Sequence, residues 1–314
     1  MPMTPQTRAV VDAAAAAFPR LGTEVVDAAE ARRLLAARPA PPREPILVAA
    51  VDNRTVPGPA GAPAVPVRLY RPLDTVGPLP IVVFCHGGGF VICSLDSHDR
   101  FCRSMANATG ALVISVDYRQ APEHRFPAAA EDAYAALCWA AEHAESLGGD
   151  PARIAVAGDS AGGNLATVTA LMSRDRGGPD IAFQLLMYAM LDPACDTDSY
   201  RDNAEGYFTT AAHLRWFWTQ YLNGDRDNPY LNPLRANVSG LPPAHMVTAE
   251  FDPLRDEGEA YGQLLRRAGV EADIHRYDDT FHGFMSMADH LPAARRANTT
   301  AFAALRSALS ANPR

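Results

Sequence analysis

The 314-residue sequence contains no lysine; all 28 of its Lys and Arg positions are arginine. This excludes every mechanism that needs a lysine amine: Schiff-base formation, pyridoxal phosphate attachment, the P-loop lysine and the S-x-x-K serine hydrolases. Cysteine is sparse and shows no paired pattern. Cys85, Cys93, Cys102, Cys138 and Cys195 form no C-x-x-C, and their number is odd. That argues against a disulfide frame or a zinc site and for reduced thiols in a cytoplasmic setting. No clustered set of metal ligands is visible, so neither a metal nor another cofactor is expected. No apolar run reaches the ~20 residues of a membrane-spanning helix, and no stable membrane association is expected. Val10, Val11 and the alanines at 13–17 faintly suggest a leader peptide, but Asp12 interrupts them and no basic cluster flanks them. Basic charge is in deficit as well: the net charge is −8, which leaves nucleic-acid binding without electrostatic support. There is no internal repeat.

What is present is a large apolar fraction, 48%, ample for a sizeable core. Residues 5–18 and 27–38 read as helices, the second acidic at its start and basic at its end, as the helix dipole favours. Pro39, Pro41, Pro42 and Pro45 then break the chain at a candidate boundary. Residues 46–56 and 65–70 read as a hairpin. Apolar strands follow at 79–85, 111–116, 153–157, 181–188, 245–251 and 272–277. They alternate with helices near 97–109, 128–146, 164–173, 254–268 and 292–310. This alternation predicts an α/β fold with a mostly parallel sheet covered on both faces. Residues 192–235 differ: they are polar, rich in Asp and Asn, and carry one aromatic helix at 211–221.

The chain is organised around Gly158-Asp159-Ser160-Ala161-Gly162-Gly163, which lies between a strand and a helix. G-x-S-x-G in that setting is a nucleophile elbow. Its turn is sharp and strained, so side chains at 158 or 162 would clash with the adjoining strand and helix. The serine hydroxyl is lifted into a cleft and the Ala161 N–H stands at a helix N-terminus, where it can meet an anion.

A serine hydroxyl needs a base, a group to orient that base, and donors for the oxyanion it creates. His86-Gly-Gly-Gly89 directly follows a strand, and its glycines let backbone N–H groups turn inward. Gly88, Gly89 and Ala161 are the candidate donors, and His86 is a loop-fixing hydrogen bonder. Among nine histidines, His282 lies just beyond the last strand, where catalytic groups gather in open α/β sheets. His275 falls within a strand, and His98, His143 and His213 fall on helices, where packed or solvated roles suit them. Asp252 ends a strand; helix capping is its alternative role, and Asp256 is the runner-up. The order Ser160, Asp252, His282 is that of α/β hydrolases and selects Asp252. Phe90, Phe208, Trp216 and Tyr188 are the candidate substrate-contacting residues.

Together these segments resemble the hormone-sensitive lipase family, the bacterial family IV esterases. The resemblance runs from about residue 65 through His86-Gly-Gly-Gly-Phe90, Ser94-Leu-Asp-Ser-His-Asp99, Asp117-Tyr-Arg-Gln-Ala-Pro-Glu123, the elbow, Asp252-Pro-Leu-Arg-Asp-Glu257 and His282-Gly-Phe284. Two positions depart from the family pattern: Cys93 replaces a usual Gly and Gln120 a usual Leu. The resemblance implies an α/β-hydrolase fold in which a catalytic core (46–190 and 236–314) is covered by a cap. N-terminal helices (1–45) and an insertion (191–235) would form that cap. It also implies that the Asp117–Glu123 loop is structural. The expected activity is hydrolysis of a small-molecule carboxylic ester, with amide or carbamate hydrolysis as the alternative on this scaffold. Plant gibberellin receptors resemble the family but lack the histidine, so a complete Ser-Asp-His set argues against a receptor. Many members dimerise through an edge strand, which makes a homodimer a further implication.

Overall fold

The computed structural model describes residues 2–38, 44–224 and 226–310. Pro39, Pro41 and Pro42 of the candidate boundary lie outside them. Two N-terminal helices, α1 (Pro5–Ala17) and α2 (Ala28–Ala36), precede the hairpin β1 (Ala50–Val56) and β2 (Val65–Arg71). Then come β3 (Leu79–Cys85), α3 (Asp99–Thr109), β4 (Leu112–Val116), α4 (Ala128–Glu142), β5 (Gly149–Asp159) and α5 (Ala161–Arg176). The rest of the chain adds β6 (Phe183–Met187), α6 (Asp198–Asp202), α7 (Ala211–Tyr221), β7 (Ala244–Phe251), α8 (Arg255–Arg267), β8 (Ala272–Phe281) and α9 (Pro292–Ser310).

The strands form one sheet in the order β1-β2-β4-β3-β5-β6-β7-β8. β1, β2 and β4 pair antiparallel, and every pairing from β4 to β8 is parallel. The pleat sends alternate residues to opposite faces. Ile81, Val83 and Cys85 of β3 join one core with α4, α5 and α8, whereas Val82 and Phe84 join another with α3 and α9. Helix α5 is buried from Ala161 to Ser173, so its sequence lacks a polar stripe in its first three turns.

Element ends differ from the sequence reading for local reasons. The helix expected over 128–146 stops at Glu142, and the chain then turns through Gly148 at φ +69. The elbow helix begins at Ala161, not 164, because the residues after Ser160 supply its first turn. The connection between α1 and α2 packs with the segment containing α7: Trp216 Nε1 donates to Val26 O at 2.9 Å, and Phe18 lies edge-on to Phe208 at 5.3 Å.

Candidate active site

Strand β5 runs into α5 through Ser160, whose φ of +55 is strained for any residue with a Cβ. The glycines around it are demanded by space. A Cβ on Gly158 would fall 2.1 Å from Gly162 O, and one on Gly162 would fall 2.0 Å from Cys85 O on β3. The turn is also tied into the sheet, since the Ser160 N–H donates to Met187 O at 2.9 Å.

Three chain segments converge on this serine. His282, one residue beyond β8, brings Nε2 to 3.0 Å from Ser160 Oγ and Nδ1 to 2.8 Å from Asp252 Oδ2. Asp252, one residue beyond β7, is fully buried, and its Oδ1 accepts the Leu254 N–H at 2.9 Å. One carboxylate oxygen is thus held by the backbone while the other faces the imidazole. This is the arrangement in which a carboxylate fixes the histidine tautomer that can take a proton from a serine. Asp256 points elsewhere: it accepts the Ser199 N–H at 2.7 Å and pairs with Arg255.

The glycine loop after β3 lies opposite. Gly88 and Gly89 take φ of +108 and +60, values that favour glycine. Among the described residues no acceptor is paired with the N–H of Gly88, Gly89 or Ala161, so these donors remain available to an anion. The loop is braced from behind. His86 is buried, stacked on Tyr118 at 4.5 Å, with Nδ1 2.7 Å from Gly87 O. Burial pushes its imidazole down to about 4, so it is neutral at neutral pH, as suits a loop-fixing hydrogen bonder. Tyr118 Oη donates to His86 O at 2.7 Å, and Gln120 Nε2 donates to Ile92 O and Cys93 O. The Asp117–Glu123 loop therefore supports the glycine loop. Cys93 is exposed at φ +70, a conformation that explains why glycine is the usual residue there.

Asp159 was not singled out in the sequence reading, yet it joins the elbow to the glycine loop. Its Oδ1 accepts the Gly87 N–H at 2.9 Å and stands 3.2 Å from His98 Nε2. Burial opposes ionisation of this carboxylate, but His98, His86 and the Gly87 N–H outweigh burial and hold it below its ordinary range. His98 is 61 residues away in sequence, so only its place in the Ser94–Asp99 motif hinted at a role.

Of the four candidate substrate-contacting residues, Phe90 and Trp216 are taken up by packing, whereas Tyr188 and Phe208 lie near His282. Phe90 is fully buried and stacks on Tyr221 at 3.8 Å, which braces α7 and leaves no face for a ligand. Trp216 turns toward the N-terminal segment, where it bonds Val26 and packs against Gly22. The aromatic residue of α7 that reaches the glycine loop is Phe217: a Cβ on Gly89 would fall 2.0 Å from its Cγ. Tyr188 lies edge-on to the His282 ring at 5.0 Å, largely buried. Phe208 is half-buried, and its ring edge stands 4.0 Å from the Cβ position of Gly283. Strand pairing also creates a cluster that the sequence did not display: His245, Asp273 and His275, at the other end of the sheet.

A parallel sheet between helix layers, a strained serine elbow and a histidine–carboxylate pair arriving from two later strand ends define an α/β hydrolase. The chain belongs to that family: residues 82–286 match the family described by the α/β-hydrolase fold, in agreement with the resemblance to hormone-sensitive lipases. It is 43% identical over 267 residues to carboxylesterase NlhH of Mycobacterium tuberculosis, with 83% of each chain covered. It is 42% identical over 230 residues to an ethyl acetate hydrolase of Pseudomonas putida, covering 71% of this chain and 72% of the other. The crystal structure of a hyperthermophilic esterase from the archaeon Pyrobaculum calidifontis superposes with a TM-score of 0.89 at 41% identity, covering 99% of this chain and 100% of that one. Among the described residues no helix is long and apolar enough to cross a membrane.

Proposed function

We propose that the protein is a serine carboxylesterase that hydrolyses short- to medium-chain carboxylic esters through an acyl-enzyme. Ser160 Oγ attacks the ester carbonyl as His282 Nε2 takes its proton, while Asp252 holds the opposite ring nitrogen. The oxyanion is met by the N–H groups of Gly88, Gly89 and Ala161. His282 then returns the proton to the departing alcohol. A water, deprotonated by the same histidine, releases the carboxylic acid and restores Ser160. The observation that carries this reading is the unbroken hydrogen-bonded chain from Asp252 through His282 to Ser160, at 2.8 and 3.0 Å.

The N-terminal helices and residues 191–235 form a cap over this site, with Phe217 and Phe208 as its acyl-facing walls and Tyr188 beside the histidine. The P. putida relative, named for ethyl acetate, supports a short-chain preference. Each buried methylene adds roughly 0.8 kcal/mol, about fourfold in kcat/KM when realised in the transition state, until the closed pocket is full. A cytoplasmic location fits the five free cysteines.

The test is kcat/KM for p-nitrophenyl esters from acetate to palmitate, with triolein, a matched amide series and a Ser160→Ala control. Rates should climb over the first few carbons and fall by about ten, with the control inactive. A steady rise to palmitate, or activation at an oil–water interface, would overturn the short-chain assignment. Full activity in the control would overturn the mechanism.

A further inference from the structure

Away from the triad, β7 and β8 bring two imidazoles and a carboxylate onto one face of the sheet. His245 pairs with Asp273 across the parallel ladder, and Val247 with His275. Asp273 and His275 are two residues apart on β8, so their side chains share that face. A single carboxylate oxygen, Asp273 Oδ2, stands 3.1 Å from His245 Nδ1 and 2.8 Å from His275 Nε2. The two rings stack with centroids 4.9 Å apart. One donor atom from each of the three residues lies within 4.8 Å of the others. The seven steps along β7 from His245 to Asp252, at about 3.3 Å each, put this cluster roughly 23 Å along the strand from the triad's Asp252.

We propose that His245, Asp273 and His275 form a binding site for one divalent transition-metal ion of the zinc and copper class, separate from the catalytic centre. The donor set is the argument. Two imidazole nitrogens and a carboxylate oxygen suit Zn²⁺ and Cu²⁺ and do not suit Mg²⁺ or Ca²⁺. A tetrahedral ion with bonds of 2.0–2.1 Å spaces its ligand atoms about 3.3 Å apart. The two nitrogen-to-oxygen separations are already slightly below that value. The two nitrogens lie within 4.8 Å of each other, so side-chain movement alone can bring them to that spacing. His275 and Asp273 can supply this movement, because their side chains are 41% and 61% exposed. His245 is the fixed ligand: it is buried, and its Nε2 has no hydrogen-bond partner. Coordination through Nδ1 moves the ring proton to Nε2, so the number of unpartnered ring atoms does not rise. An entry path exists, since His245 and Asp273 line a groove of about 1060 Å³ beside Phe183, Ala304 and Ala308.

The test uses tag-free, full-length protein stripped with a chelating resin, titrated calorimetrically with Zn²⁺, Cu²⁺ and Mg²⁺. Asp273→Asn and His275→Ala serve as variants, the first at an exposed and the second at a half-buried position. Wild type should take up one Zn²⁺ per chain, bind Cu²⁺ more tightly as the Irving–Williams order requires, and give no saturable heat with Mg²⁺. Each variant should weaken Zn²⁺ at least about tenfold while hydrolysing p-nitrophenyl butyrate like wild type, which shows that it is folded. The Cu²⁺ electron paramagnetic resonance spectrum should report two nitrogen ligands, reduced to one in His275→Ala. No one-to-one heat up to millimolar Zn²⁺, or binding undiminished in both variants, would overturn the proposal.

Discussion

Replacing Asp159 with alanine separates the two functions of the elbow sequence, because the residue touches neither the ester nor His282 yet holds the glycine loop. The largely buried carboxylate accepts the Gly87 N–H at 2.9 Å and faces His98 Nε2. Alanine strands the Gly87 donor one residue before Gly88, the first of the proposed oxyanion donors. A hydrogen bond to a charged acceptor is worth about 1.5–3 kcal/mol. If that energy holds the loop in the geometry of the tetrahedral intermediate, kcat falls roughly 10- to 150-fold and KM hardly moves. Asp159→Asn should lose less, since its carbonyl oxygen still accepts from Gly87. The assay is kcat and KM for p-nitrophenyl butyrate, corrected by active-site titration, beside the affinity of an alkyl trifluoromethyl ketone whose serine adduct carries the oxyanion. Ketone affinity should fall in proportion to kcat/KM across wild type, Asn and Ala. A loss that disappears once the active fraction is counted, or a drop in kcat/KM with unchanged ketone affinity, would refute the argument and leave Asp159 a purely structural residue.

Ser160→Ala and His282→Ala should each lower kcat by on the order of 10⁶ and Asp252→Asn by about 10⁴, with the Ser160→Ala/His282→Ala double variant hardly worse than either single one; multiplicative losses would remove His282 as the base. Chelators should leave esterase activity unchanged, because the His245 cluster is remote from the triad; inhibition by EDTA reversed by metal would contradict that. Acid should destabilise the fold through buried histidines. Burial pushes His213 and His86 down to about 4 from the ordinary 6.5. Between those values the unfolded chain binds protons that the folded chain refuses, so stability rises with pH across that window. At pH 5 each group costs about 2 kcal/mol relative to pH 7. Urea unfolding at both pH values should show a smaller loss for His213→Leu than for wild type; equal losses would show that His213 does not contribute. Gly89→Ala should cripple turnover, because its Cβ would collide with the Phe217 ring at a φ of +60; Gly89→Ala/Phe217→Ala should recover part of it, and no recovery would place the damage in the backbone alone.

The reacting groups could be read from sequence because each belongs to a short linear motif whose geometry is local. A serine between glycines after a strand, a glycine run after a strand and a histidine just past the last strand carry their positions with them. Phe90, Trp216 and Phe217 could not be sorted this way. Helix α7 buries Leu214, Trp216, Phe217, Trp218 and Tyr221, so its hydrophobicity has no dominant face, and which ring meets the glycine loop depends on how the segment around Gly22 and Val26 and the loop pack around it. Asp159 read as the variable position of its motif, since its partner His98 arrives from a separate segment. The His245, Asp273 and His275 cluster depends on the register between β7 and β8, which a one-residue slip would abolish.

The packing of the α1–α2 connection against α7 has a consequence during synthesis. Val26 and Trp216 are bonded across 190 residues. At roughly 5–20 residues per second, Val26 leaves the ribosome about ten to forty seconds before Trp216 does. In the interval the Val26 carbonyl and the Gly22 turn lack the Trp216 side chain that they meet in the folded protein. This contact therefore closes late, although one side of it is among the first parts of the chain to be translated.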